Sequence, residues 1–388
     1  MNSRISNLAT EIRDVYIPNK EDDLPYIGLE HVEQESLHLS SIGSSQEVKS
    51  HKFRFKSGDI LFGTLRPYFR KVIVAPCNGI CSTEFCVVRA NDPKDQQFVF
   101  YGMAQPQFIK YATTNSKGAR PRTKWKLFSD FELPQFLPSQ RRDIGDILSA
   151  YDDLIENNRQ RIQLLEQAAR LLYREWFVYL CFPGHEHVSI TDGVPEGWEK
   201  VPILSFCTVG RGGSPRPIKN YTDGTVPWFK IGDATASGSP FVFSTKELLI
   251  EDGVKKSVLL PTQELVLSNS ATCGIPYFTG VSGCIHDGWL YFKELTRVSK
   301  WFLYCCLFAK QREILMGIGE GATQKNLNTD YVGRQLVLLP KEQVFLTNFT
   351  EAVEPFFDQI FTLAQVNISL SEARDLLLPR LMNGEVVV

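Results

Sequence analysis

Between Ser139 and Leu180 the chain carries no proline and a single glycine, Gly145, and its apolar side chains step by four and three. Ile144, Leu148, Tyr151, Ile155, Ile162, Leu165, Ala169, Leu172 and Trp176 mark that seam, with Asn158 its only polar member. A mean step of about 3.5 residues kept up over this distance dictates a long helix that buries a narrow stripe against another helix. Asn158 reads in two ways: a buried amide that sets the pairing register, or an exposed position where the seam frays.

Moved along by about 202 residues, the seam lands on Leu346, Phe349, Val353, Phe356, Ile360, Leu363, Asn367, Leu370, Arg374, Leu377 and Leu381. A register that survives so long a shift marks a tandem repeat and makes the two helices partners for one another. Pro355 predicts a kink or a restart in the second. Upstream of each helix come short β-rich runs (DILFGTL, FRKVIVA, STEFCVVRA; ELVLSNS, DGWLYF), then a helical stretch (QQFVFYGMAQPQFIKYA; RVSKWFLYCCLFAKQREILMG), then a Gly-Ala loop. The predicted fold is α+β: two mixed α/β domains in a pseudo-twofold tandem repeat, joined by two long antiparallel coiled-coil helices, with the globular halves at opposite ends. Its predicted segments are a first domain over 1–138, a helix over 139–180, an exposed connector over 181–198, a second domain over 199–340 and a helix over 341–388.

A chain of 388 residues with 43% hydrophobic content supports two cores. No charged-then-apolar leader and no apolar run of membrane-spanning length are visible, so the expected location is cytoplasmic, with no membrane partner. Nine cysteines without a Cys-x-x-Cys read as buried thiols in a reducing compartment, and no metal site is predicted. His185 and His187, which straddle Glu186 in the connector, lack a third ligand. GIGEG, Gly317 to Gly321, follows a helical pattern instead of a strand and reads as a helix-ending turn. Phosphate-loop, HExxH and GxSxG motifs are not found, and the paired Asp152 and Asp153 read as a solvated helix face.

A net charge of −2 does not advertise nucleic-acid binding, so any such role rests on local patches. GARPRTKW, Gly118 to Trp125, is such a patch: Lys117, Arg120, Arg122 and Lys124 lie between Tyr111 and Trp125 with no carboxylate among them. Arginines so placed can neutralise phosphates or reach guanine edges. In the second half GATQKNLN takes the matching place, and Thr323, Gln324, Lys325 and Asn326 supply amides suited to adenine. Arg66 and Tyr68, Arg211 and Arg216 of a flexible basic loop GRGGSPRP, and Lys219 just beyond it, are further candidates. The competing reading of every one of these is a solvated surface loop.

The stretch LPSQRRDIGDILSAYDDLIENNRQRIQLLEQAARLLYREWFV, followed by FPGHE and VPEGW, resembles the central region of the specificity subunits of type I restriction-modification enzymes. SPRPIKNYTDGTVPWFKIGDA, DILFGTLRPYFRKV and GARPRTKW resemble stretches of the family's target-recognition domains, so the likeness covers nearly the whole chain. It implies two target-recognition domains, each reading half of a split DNA sequence, with the helices as a ruler. It further implies docking of two adenine-methylating modification subunits that carry S-adenosylmethionine, joined by ATP-driven restriction subunits. The chain itself would hold no cofactor and catalyse nothing. Ser139–Arg142 is more basic than Lys341–Val344, a departure from equivalence of the two helices. A purely structural adaptor is the alternative, and it predicts no salt-dependent DNA binding.

Overall fold

The computed structural model describes residues 2–19, 21–270, 272–316 and 327–386. Helix and strand are mixed throughout. Two compact units form, one from residues 1–156 with 367–388 and the other from 157–366. Each therefore takes a share of both long helices, Pro138–Phe177 and Gln343–Met382. Among the described residues, no helix is long and apolar enough to cross a membrane.

In the first unit, Ala9–Ile12, Phe85–Ala90, Ile60–Gly63 and Val72–Val74 pair in that order, all antiparallel. A second sheet runs Asp14–Tyr16, Lys52–Phe55, Gly79–Cys81, Pro25–Ile27, Gly43–Ser44, with the Pro25–Ile27 and Gly79–Cys81 strands parallel. The second unit follows the same plan. Thr208–Arg211, Trp289–Lys293, Leu265–Ser268 and Pro276–Thr279 form one sheet, with Phe241–Val242 added at its edge. Val258–Leu260, Gly283–Ile285, Thr222–Phe229 and Leu248–Leu249 form the other, again with one parallel pair. A two-stranded ribbon opens and closes each domain, Asn2–Arg4 on Glu132–Pro134 and Trp198–Pro202 on Leu336–Pro340. Val, Ile, Phe and Cys dominate the central strands because both faces of these sheets are covered.

The predicted single helix before the first Gly-Ala loop is two, Gln96–Ala104 and Pro106–Thr114. Pro106 supplies no N–H to continue the first and its fixed φ suits the first turn of the second. In the second unit the corresponding stretch has no such proline and stays whole as Lys300–Met316.

Within the first unit, Ile144 and Leu148 join the core with Leu378, Leu381 and Met382. Within the second, Tyr173, Trp176 and Phe177 meet Phe349. Pro355 does not restart the second helix, which runs through both Pro355 and Pro379. An interior proline costs about 3 kcal/mol; here Val353 and Phe357, both fully buried beside it, offset that cost by packing. The buried stripe is also wider than the predicted seam, since Phe357, Ala364 and Leu378 are buried while Phe356, Leu363 and Leu377 are half-buried. Each helix half covers its own unit as well as its partner helix, so a stripe wider than a coiled-coil seam is required.

Asn158 is buried at 2% exposure, which excludes the exposed, frayed reading. Asp152 corrects the solvated-face reading: it pairs with Arg374 and accepts from the Tyr101 hydroxyl at 2.5 Å, while Asp153 is exposed. The connector over 181–198 is only partly exposed. Phe182 and Trp198 stack into the second unit's core. His185 and His187 stay at the surface beside Glu186, and among the described residues no His/Cys/Asp/Glu group is placed to hold a metal. Among the described residues the cysteines form no disulfide, and burial pushes the thiols of Cys207 and Cys306 up to about 12 and about 11, which leaves them unreactive near neutral pH.

Candidate nucleic-acid interface

In the first unit Lys117 and Arg122 exchange two backbone hydrogen bonds, at 2.9 and 3.0 Å, and so close the tip formed by Gly118, Ala119, Arg120 and Pro121. Gly118 sits at φ +93°, where a side chain would be strained. The closed tip is pinned to the turn after strand Ile60–Gly63: the Arg66 N–H donates to the Pro121 carbonyl at 2.7 Å, and the Thr123 N–H to that of Thr64 at 3.0 Å. Arg66 itself, at φ +51°, starts the short turn Pro67–Phe69 that presents Tyr68. Six candidates from two separated stretches of sequence thus meet at one corner: Arg66, Tyr68, Lys117, Arg120, Arg122 and Lys124. All six side chains are exposed.

The two aromatics that flank the basic stretch have another task. Trp125 packs edge-on against Phe128 at 5.5 Å and Tyr111 against Phe131 at 5.3 Å, so both anchor the loop to the core. Tyr68 is the ring that remains open to stacking, at 43% exposure.

The GRGGSPRP loop of the second unit is pinned, against the expectation of flexibility. Arg211 ends a strand and its Nε donates to the Asp287 carbonyl at 2.8 Å. The Gly212 N–H donates to the Trp289 carbonyl at 2.9 Å, the Gly213 N–H to that of Ile285 at 3.0 Å, and the Ser257 hydroxyl to the Gly213 carbonyl at 2.8 Å. Two glycines permit this approach: a Cβ on Gly212 would stand 2.2 Å from the His286 carbonyl oxygen. Gly212→Ala is expected to destabilise the unit by about 1–3 kcal/mol, as overpacking against backbone does; an unchanged urea midpoint would contradict the close approach. Arg216 lies 3.9 Å from the Asp287 carboxylate, and Lys219 sits in the middle of the short turn Ile218–Asn220; both are exposed. Burial, joined by Lys230 and Arg216, holds the His286 imidazole below its usual pKa against the pull of Asp287, so His286 adds no charge here near neutral pH.

Thr323, Gln324, Lys325 and Asn326, like the GIGEG stretch, lie outside the described residues. The chain that follows them is placed: the Leu327 N–H donates to the Asn269 carbonyl at 2.9 Å, as Thr123 does to Thr64. Asn328 accepts from the Tyr331 N–H at 2.7 Å and caps the next helix, a structural task.

Reading basic stretches missed the carboxylates that face them. The Glu84 Oε1 lies 2.5 Å from Arg122, and the Asp287 carboxylate lies 3.9 Å from Arg216. Neither acid lies near its arginines in the chain, so spacing carried no signal for them.

Each of the two mixed-sheet units thus carries a corner of pinned loops that displays cations. Residues 9–167 match the family model described as the type I restriction modification DNA specificity domain. The MjaIX type I restriction enzyme specificity subunit of Methanocaldococcus jannaschii is 24% identical, over 76% of this chain and 71% of its own. The HindI specificity subunit of Haemophilus influenzae is 23% identical, over 86% of this chain and 88% of its own. The solved S subunit of a type I restriction-modification system from M. genitalium shares the fold, with a TM-score of 0.58 over 98% of this chain and 96% of its own at 14% identity. Over residues 9–167 the chain thus matches a type I restriction modification DNA specificity domain, and along most of its length it is similar to specificity subunits of type I restriction enzymes.

Proposed function

We propose that this chain is a type I restriction-modification specificity subunit that reads a bipartite double-stranded DNA target, one half with each sheet-based domain (1–138 and 199–340). The observation that carries this reading is the corner where Arg66, Tyr68, Lys117, Arg120, Arg122 and Lys124 converge, because it puts an exposed ring beside cations able to meet phosphates and base edges. Arg211, Arg216 and Lys219, with Thr323 to Asn326, take the corresponding part at the other half-site. The long helices would run antiparallel across the molecule as a ruler. Forty residues of helix span about 60 Å, against about 34 Å for one turn of DNA, so half-sites a turn or more apart suit them.

In this reading the helices also dock two methyltransferase subunits that bring S-adenosylmethionine, and ATP-dependent restriction subunits join for cleavage, in the cytoplasm. The chain is non-catalytic by itself and binds no cofactor. A net charge of −2 then leaves much of the phosphate contact to partners.

Co-expression with the modification subunit, followed by mapping of methylated adenines, is the test. A split motif with one fixed gap is expected; no methylation from a stable complex supplied with S-adenosylmethionine would defeat the reading. Arg120→Ala should relax the motif in one half only, by about 1–3 kcal/mol of discrimination. An unchanged motif in that variant would remove the tip from the reading surface.

A further inference from the structure

The carboxylates behind the two basic corners occupy the same turn. In the first unit the Ser82 N–H donates to the Ile27 carbonyl at 3.0 Å and the Phe85 N–H returns to Ser82 at 2.9 Å. In the second the His286 N–H donates to Phe229 at 3.1 Å and the Trp289 N–H returns to His286 at 3.0 Å. The backbone bond behind each turn also matches, Thr64 N–H to Glu84 carbonyl at 2.7 Å and Asn269 N–H to Gly288 carbonyl at 2.9 Å. Within this shared frame each turn carries an acid, Glu84 at its third residue and Asp287 at its second.

Each acid meets arginine from a different loop. Glu84 pairs with Arg122 of the 117–122 tip at 2.5 Å, whereas the Asp287 carboxylate lies 2.9 Å from the His286 Nδ1 and 3.9 Å from Arg216 of the 210–217 strap, its backbone carbonyl accepting from Arg211. Neither pair is needed to fill the interior, since Glu84 and Arg122 are 29% and 59% exposed, and Asp287 and Arg216 35% and 77%. Two half-domains that reach the same pairing from different positions and different loops point to a task for the acid itself. On a surface that must meet phosphates, a carboxylate repels the duplex and shares the charge of the arginine beside it.

We infer that Glu84 and Asp287 are specificity-determining residues that suppress sequence-independent DNA binding by holding the reading arginines in ion pairs until base contacts replace them. The inference rests on the DNA-reading proposal above. Arginine is released only where a target base supplies bidentate acceptors, so the acids weaken binding to random DNA more than binding to the target.

The test measures the full chain, as wild type, Glu84→Gln and Asp287→Asn, on a random-sequence duplex and on the duplex found by methylation mapping, across a salt series. Each variant is expected to bind the random duplex about threefold more tightly and to steepen the salt dependence by about one phosphate contact, with target binding unchanged. Glu11→Gln removes the same charge from a pair with Arg13 at 2.9 Å on another strand and should alter neither duplex. Equal tightening on both duplexes, or an effect of Glu11→Gln as large, would overturn the inference while leaving DNA reading intact. A loss of random-duplex affinity in the variants would overturn it too. No salt-dependent binding by the wild-type chain, alone or with its modification subunit, would instead defeat the DNA reading, and this inference with it.

Discussion

Arg374→Met is expected to destabilise the first unit by about 3–5 kcal/mol, the cost of leaving a buried charge without its counter-ion. Arg374 is 4% exposed and lies between Asp152 and Asp375, 3.0 Å from the latter. Asp152 also accepts from Tyr101, and Arg70 reaches Asp375 at 3.6 Å while its Nε donates to the Ala104 carbonyl at 2.7 Å. The network therefore ties both long helices to the helix Gln96–Ala104 and to the turn that carries Arg66. Methionine fills the volume and removes the charge, so Asp152 is left buried and ionised.

The pH dependence has a definite sign. Burial raises the Asp152 pKa above the ordinary carboxylate value, even against the lowering by Arg374 and Tyr101. A carboxyl raised on folding binds its proton more tightly in the native state, so its contribution to stability is present in acid and lost as pH rises through the folded value. Without Arg374 that value rises further, and the penalty of the variant should shrink between about pH 7 and about pH 5. Urea denaturation at the two pH values checks this. The double variant Asp152→Asn/Arg374→Met should recover part of the loss, because neither charge remains to be desolvated. A pH-independent penalty, or a double variant no more stable than the single, would show that the pair is not the cause.

Phe357→Ala should cost the second unit about 3–5 kcal/mol through a cavity that rigid neighbours cannot close. Its ring is fully buried, stacked on Trp301 at 4.7 Å with 10° between planes, and edge-on to Tyr304 at 5.2 Å and Phe278 at 5.7 Å. Those partners come from the helix Lys300–Met316 and the strand Pro276–Thr279, so one substitution loosens three elements. Phe356→Ala, at the half-buried position next to it, should cost much less. Guanidinium titrations followed by tryptophan emission read both, and equal losses would return the seam to the position that a strict heptad assigns.

That neighbouring pair shows what periodicity carries. Two helices with apolar stripes facing each other were legible because a step of about 3.5 has no other use over such a length. An exact shift of 202 carries Ile155, Ile162 and Trp176 onto Phe357, Ala364 and Leu378, the buried member of each adjacent pair, so the first seam marks the deep positions that a seam drawn through Phe356, Leu363 and Leu377 misplaces. Pro355 shows what packing adds, since an interior proline breaks an isolated helix but is carried on the exposed side of one whose opposite face, Val353, Phe357 and Ile360, is buried.

The candidate site divides in the same way. Basic residues behind a glycine turn could be read from Gly118 to Trp125, because a dense run of like charge is a property of the chain. Three things about them were settled by tertiary contact: the docking of Arg66 and Tyr68 onto that tip, the withdrawal of Trp125 and Tyr111 into the core, and the turn that sets Glu84 against Arg122. Hydrophobic period and charge density are local and survive in a string of letters. Strand pairing brings together residues tens of positions apart, so the counter-charge of an arginine exists only once the sheet has formed.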